Sequence, residues 1–391
     1  MPNKNYILSI IVFSQFCCTS LWFAGNAIIA DLISNFGLED SALAHLTSAV
    51  QFGFIIGTFV FAILTVADRF SPSKVFFVCA LIAALLNSLT ILETNTLQSL
   101  FFIRLGTGFF LAGIYPVGMK IASDYFKEGL GKSLGFLVGA LVLGTAFPHL
   151  LNFYNQSISW TAIVYLTSGI AFIGGSMIMF FVGDGPYKAK LEKFNISLFY
   201  SVFKIRDFRT AAFGYFGHMW ELYAFWAFVP IVLHGYINFH EDIQFNVPLY
   251  SFIIIASGAI SCVLSGYLSQ RFTPKKVAII GLSLSAICCL MSPLIFMVAS
   301  KIVFLCFLVF WGMVVIADSP LFSTLVAQNV PNTSKGTALT IVNSIGFAIT
   351  ILSIQLLNTL QNTVEVRFLF MVLAIGPIIG LIGLYKSYAK P

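Results

Sequence analysis

Charge is what this chain has least of. Asp, Glu, Lys and Arg make up only 9% of it, against 59% hydrophobic residues and a mean hydropathy of +0.94. A water-soluble domain of that composition lacks the polar surface to cover itself, so the implied solvent is a lipid bilayer. Long polar stretches are missing as well. Apolar runs recur along all 391 residues, and a length that would suggest two or three soluble domains instead reads as one integral unit. The seven cysteines (Cys17, Cys18, Cys79, Cys262, Cys288, Cys289, Cys306) all lie inside apolar runs, with no CxxC pair, which argues against a disulfide framework or a zinc site. No glycine loop leads into Lys and Ser or Thr to cradle a phosphate, and no nucleophile elbow or paired metal-ligand spacing occurs. ATP-driven work and intramembrane catalysis are therefore unsupported, and neither an enzyme nor a cofactor is expected.

What is present is a rhythm of apolar segments. The first, from about Tyr6 to Ile33, is too long for a signal-peptide core and has no small-residue cleavage site, so it reads as a retained span. With about 20 residues needed per crossing, spans are expected near 7–31, 45–67, 75–93, 98–120, 131–153 and 160–183. Six more are expected near 210–234, 248–270, 277–299, 302–327, 336–359 and 367–386. Polar segments such as Asn35-Phe36-Gly37-Leu38-Glu39-Asp40, Glu93-Thr94-Asn95-Thr96 and Val330-Pro331-Asn332-Thr333 separate them. Backbone groups in lipid must be satisfied within the span, so the predicted fold is all-α: a polytopic membrane protein with twelve transmembrane helices.

The basic residues orient it. With a cytoplasmic N-terminus, all but three of the 21 Lys and Arg fall on the cytoplasmic side; Lys301 and Arg367 lie in outer loops and Arg104 inside span four. That asymmetry predicts both termini in the cytoplasm of a bacterial inner membrane or another plasma membrane. The net charge of +6 is then a membrane-facing bias and implies no nucleic-acid partner.

An internal repeat follows. Ala67-Asp68-Arg69-Phe70-Ser71-Pro72-Ser73-Lys74 after span two matches Ser269-Gln270-Arg271-Phe272-Thr273-Pro274-Lys275-Lys276 after span eight, at an offset of 202 residues. Gly131-Lys132-Ser133-Leu134 and Gly336-Thr337-Ala338-Leu339 form a looser echo. Two six-helix halves, 1–183 and 210–391, joined by a cytoplasmic linker over 184–209, are expected.

These features resemble the major facilitator superfamily over essentially the whole chain. The family pattern after span two is Gly-x-Leu-small-Asp-Arg-x-Gly-Arg-Lys. The first copy retains Asp68, Arg69 and Lys74, with Leu64 and Ser71 where glycines are usual; the second retains Gly266, Leu268, Arg271, Lys275 and Lys276, with Gln270 for the acid. The family's span-four arginine and glycines are matched by Arg104, Gly108 and Gly113, and Gly183-Asp184-Gly185-Pro186 after span six is similar too. The resemblance implies a secondary transporter working by alternating access, in which Asp68 and Arg69 bridge span two to span eleven as a cytoplasmic latch, with Arg271 in the second copy. The other readings are a helix-capping Asp68 and an Arg271 that, with Lys275 and Lys276, only sets topology.

Charges inside spans are costly, about 2.5–3.5 kcal/mol even on the lenient insertion scale, and so mark function or bracing. Arg104 is either an anion or proton-site contact or an interhelical brace. Span seven carries Gly214-Tyr215-Phe216-Gly217-His218-Met219-Trp220-Glu221-Leu222-Tyr223-Ala224-Phe225-Trp226. His218 and Glu221 share a helix face there, with Glu221 near the bilayer midplane, as a proton site would require. A Glu221 that merely bonds across helices is the plainer alternative. Asp318, followed by Ser319 and Pro320, predicts a kinked span ten and is either a second proton site or a counter-ion for Arg104. Tyr115 and Pro116 predict a similar break in span four, with Lys120 and Asp124 an edge ion pair. Trp22, Asn26, Gln51, Tyr115, His149, Trp220, Asn343 and Gln355 are candidate cavity groups or helix–helix hydrogen bonds, with Asn26, Tyr115 and Trp220 the candidate substrate or proton contacts.

Within the family, drug–proton antiporters carry a Gly-Pro pair in span five; here Gly139 precedes Ala140, and Pro148 stands nine residues on. That favours uptake over efflux. Nitrate porters use arginines inside spans two and eight, and neither span has one. A lone intramembrane arginine suits a small organic anion, while two acids and the aromatic span seven suit a cation or neutral amphiphile. The expected partners are a small-molecule substrate, protons and the bilayer, with the chain a monomer. Efflux by proton antiport and a non-transporting receptor or scaffold are the alternatives.

Overall fold

A computed structural model describes residues 4–126, 130–154, 159–187, 198–331 and 335–385. Lys127, Lys188, Lys190, Lys193, Lys386 and Lys390, counted above for topology, lie outside the described residues, as do Asn332, Thr333 and the middle of the expected linker. The described residues contain helix and no strand. They divide into two compact units, Met1–Phe194 and Asn195–Pro391.

Among the described residues, eleven helices are long and apolar enough to cross a membrane. The first apolar run, expected as one span, is instead broken into α1 (Lys4–Thr19), α2 (Ala24–Ala27) and α3 (Ile29–Phe36). The cause is local and then distant. Thr19 Oγ1 donates back to Gln15 O at 2.8 Å and Ser20 Oγ to Cys17 O at 2.7 Å, a form of back-bonding that bends helices. The carbonyls freed just beyond, at Leu21 and Trp22, are taken by Arg104.

The rest of the first unit is α4 (Ala42–Ile63), α5 (Val66–Arg69), α6 (Pro72–Ser88), α7 (Leu97–Leu111), α8 (Tyr115–Tyr125), α9 (Leu130–Phe153) and α10 (Trp160–Phe181). The second unit contains α11 (Leu198–Lys204), α12 (Arg206–Phe239), α13 (Val247–Arg271), α14 (Pro274–Phe296), α15 (Lys301–Val314), α16 (Ser319–Gln328), α17 (Lys335–Leu360) and α18 (Ile375–Tyr385). Both expected breaks occur, at 112–114 before Pro116 and at 315–318 before Pro320, because proline at the start of a helix neither needs nor can supply a backbone N–H. Two departures are instructive. Helix begins at Leu198, inside the segment expected as linker, and α12 runs for 34 residues. Span twelve opens with a nine-residue 3-10 helix, Val366–Ala374, well past the usual three or four residues for that conformation.

The repeat is visible in packing. In the first unit α4 crosses α7 so closely that a Cβ on Gly53 would meet Leu105 O at 1.9 Å, one on Gly57 would meet Phe109 O at 2.3 Å, and one on Gly108 would meet Val50 O at 2.0 Å. At an offset of 204 residues, α13 crosses α15 with Gly312 against Ile254 O at 2.1 Å. Serines stand where the other two glycines were: Ser257 Oγ donates to Val309 O at 3.1 Å and Ser261 Oγ to Met313 O at 2.5 Å. One geometry is held by bare backbone contact in one copy and by hydroxyl bonds in the other.

Candidate functional site

Each unit carries a buried polar knot on three corresponding helical segments, with the charge on different ones. In the first unit it is Arg104 on α7, 1% exposed. Its Nη1 donates to Leu21 O at 3.0 Å and Asn87 Oδ1 at 3.4 Å, and its Nη2 to Trp22 O at 2.5 Å. Asn87 on α6 passes the network on, donating to Ser168 Oγ at 2.9 Å and Thr167 Oγ1 at 3.2 Å on α10. A planar fork of donors is suited to this task of capping two carbonyls of a broken helix at once. The bracing reading thus describes the contacts of Arg104, and Asp318 finds a different partner.

Around the same break, Asn26 Nδ2 donates to Thr47 Oγ1 at 2.8 Å and Trp22 packs on Phe54 with ring centroids 4.9 Å apart. Between Thr47 and Phe54 on α4 lies Gln51, fully buried, whose amide has no hydrogen-bond partner among the described residues. Gln15 on α1 and His149 Nε2 on α9 are likewise buried and unpartnered. Tyr115 is half-buried at the first position of α8.

In the second unit the knot is Glu221 on α12, 1% exposed. Three donors converge on its Oε1: Ser285 Oγ at 2.5 Å and Cys289 Sγ at 3.4 Å from α14, and Trp311 Nε1 at 2.6 Å from α15. Phe225 and Phe370 pack on the Trp311 ring at 4.8 and 5.4 Å between centroids, fixing the indole where its N–H reaches the carboxyl. One turn back on α12, His218 Nδ1 lies 2.8 Å from Asp318 Oδ1, each side chain 1% exposed. The break between α15 and α16 is what turns Asp318 toward α12. Trp220 points elsewhere, its Cβ against Gly376 at the start of α18, with its indole N–H unpartnered.

A further set of residues singled out by sequence lies at the other end of the first unit, and Arg271 ends α13 in the second. Asp68 Oδ1 pairs with Lys120 Nζ at 2.8 Å, and Asp124 is the more distant partner at 4.0 Å, so the expected Lys120–Asp124 edge pair is secondary. Arg69 Nε donates to Thr65 Oγ1 at 3.1 Å, and Thr65 holds a left-handed backbone, φ 49°, rare for a β-branched residue. Ser71 Oγ donates to Asp184 Oδ1 at 2.8 Å and Tyr125 Oη to Gly183 O at 2.8 Å, tying the Gly183-Asp184-Gly185-Pro186 turn down. Arg271 is exposed and lies over the Phe272 ring at 5.7 Å.

Sequence reasoning missed Asn87, Ser285, Cys289 and Trp311, the groups that hold Arg104 and Glu221. Trp311 alone carried a signal, an indole in mid-span, away from the interfaces where tryptophan is usual. Among the described residues no three His, Cys, Asp or Glu side chains form a metal site.

Ionisable groups lie buried inside the helices of an integral multi-pass membrane chain of two helical units, an organisation that suits a secondary transporter. The chain belongs to the Major Facilitator Superfamily, whose model matches residues 11–354. Its fold is that of a bacterial homolog of the human lysosomal transporter Spinster, solved inward-facing and occupied, with a TM-score of 0.70, 13% identity, and 99% of this chain and 97% of that one covered. The proton:xylose symporter XylE, solved with 6-bromo-6-deoxy-D-glucose, is similar at a TM-score of 0.75 and 13% identity, covering 98% of this chain and 96% of that one. No curated protein matches by sequence.

Proposed function

We infer that this chain couples the uptake of a small organic solute to protons by alternating access, as a monomer in a bacterial inner membrane with both termini cytoplasmic. The observation that carries the reading is the closeness of Glu221, ringed by three donors, to the His218–Asp318 couple, whose imidazole lies one turn away on the same helix. Buried acids and imidazoles are expensive in a membrane and suit proton exchange. The fold shared with XylE, described as a proton symporter, agrees with it. Substrate contacts fall to the buried groups with unspent hydrogen-bonding capacity, above all Gln51 beside Asn26 and the indole of Trp220, since buried polar groups without partners call for one. Asp68, Arg69 and Arg271 act at the cytoplasmic face as conformational contacts.

Purified protein in liposomes with an internal pH dye, challenged with organic anions, cations, sugars and amphiphiles in turn, tests this. Proton movement should accompany one class, and Glu221→Gln should lose gradient-driven uptake while keeping substrate exchange. Driven uptake unchanged in Glu221→Gln would remove the acid from the mechanism.

A further inference from the structure

Glu221 is bonded to Trp311, and Trp311 lines the inner of two adjoining cavities within the second unit. The end of this unit marked by residues 240–246, 297–301 and 361–367 is fixed by cross-contacts: His240 Nε2 lies 2.9 Å from Phe296 O, Lys301 Nζ donates to Gln244 O at 3.5 Å, and Arg367 Nη1 reaches Met297 Sδ at 3.1 Å. A cleft of about 310 Å³ opens there, lined by Asn238, Phe239, Glu365 and Arg367 among others. Beneath it lies a void with room for about one water. Phe296, Val366 and Arg367 line both spaces, and the floor of the inner one is Trp311, the residue whose indole N–H binds Glu221.

Helical geometry extends the line of residues toward Glu221. On α14 the Glu221 donors Ser285 and Cys289 are followed at helical spacing by Ser292 and Phe296, which line the void. On α15, Phe304 and Leu308 continue the face of Trp311 in the same direction. Ser292 is the small hydroxyl in a mostly apolar wall, and that hydroxyl already has an acceptor in Cys289 O at 2.8 Å, leaving its oxygen lone pairs for a water. The fourth wall is the 3-10 helix, whose Val366 packs so tightly on α12 that a Cβ at Gly235 would lie 2.3 Å from Val366 Cγ1. A 3-10 stretch of this length is the kind of poorly bonded element that gives way first.

We propose that Glu221 exchanges its proton with bulk water at the Arg367 end by this route, inside the second unit and separate from the path of the solute. The assignment rests on the proton-coupled reading above. The carboxyl O–H bond breaks as its proton passes along the α14 face, with the Ser292 hydroxyl as relay, to the water in the void, which releases it through the cleft; loading is the reverse. Other groups face this acid: Cys288 and Cys289 on α14, Asp318 at the α15–α16 break and His218 on α12. At the mouth stand His240, Glu365 and Arg367, and the Glu365–Arg367 pair, at 2.6 Å, leaves little net charge to repel a hydronium. The other helices packed on α12 carry Asp, Glu, His, Lys or Arg only at their ends, Lys204 on α11, Arg271 on α13 and Lys335 on α17.

The test uses the full chain in sealed vesicles of a single orientation, with protons as the probe. The pH is jumped on one side at a time, and the infrared carboxyl band that disappears in Glu221→Gln is followed in time. Val366→Trp should slow that band at least tenfold after a jump on the Arg367 side and leave the response to the opposite side within twofold. Asn238→Trp, at an exposed position in the cleft, should slow it in the same direction and covers the case in which Val366→Trp fails to fold. Unchanged rates in the variants that fold would overturn the route while leaving Glu221 a proton site. Absence of any band sensitive to Glu221→Gln would overturn the route and the coupling reading together.

Discussion

His218 Nδ1 and Asp318 Oδ1 stand 2.8 Å apart, a hundred residues distant in sequence and almost wholly withdrawn from solvent. The contact joins α12 to the point where span ten breaks. Taking away one partner of such a couple strands the other. His218→Ala should therefore cost about 3–5 kcal/mol of stability, and adding Asp318→Asn should restore part of it. Thermal unfolding in detergent, arranged as a double-mutant cycle, reads the coupling; strict additivity would mean the two side chains do not share a proton or a charge.

Trp311→Phe keeps the ring among Phe225, Phe307 and Phe370 and deletes only the N–H. The expected loss is about 0.5–1.5 kcal/mol, that of one hydrogen bond. Trp311→Ala should lose about 3–5 kcal/mol through the cavity it opens. Comparing the two melting shifts separates the donor from the ring.

Arg104→Lys preserves charge but not the fork that reaches Leu21 O and Trp22 O together. The variant should be destabilised nearly as much as Arg104→Met. Hydrogen exchange should then rise first over residues 19–28, where the helix is interrupted. A lysine variant that melts with the wild type would show that the positive charge, and not its geometry, holds the break.

Gly108→Ala and Gly312→Ala put a methyl within 2.0 and 2.1 Å of a backbone oxygen, and both should reduce folded yield sharply. Ser257→Ala removes only a hydroxyl bond and should cost about 1 kcal/mol. Size-exclusion profiles and melting curves of the three variants rank these costs.

The spans were legible because lipid leaves the backbone no alternative to helix, and the breaks at 112–114 and 315–318 because Pro116 and Pro320 write them into the chain. The interruption after Thr19 was not, since no proline marks it and half of its cause, Arg104, arrives more than eighty residues later. Glu221, His218 and Asp318 stood out as costly charges in apolar runs. Their partners did not: serine, cysteine and tryptophan are ordinary in spans, and only folding brings Ser285, Cys289 and Trp311 to one oxygen. The 3-10 opening of span twelve has the composition of any apolar helix.

The two crossings that share a geometry differ in how they can come apart. At Gly53 and Gly57 nothing projects between the helices, so separation there simply loses dispersion contact over a flat seam. At Ser257 and Ser261 each hydroxyl also touches its own helix, at Ile254 O (2.7 Å) and Gly258 O (2.8 Å). Those hydroxyls keep an acceptor on their own helix, so the second crossing can part without stranding a donor in lipid.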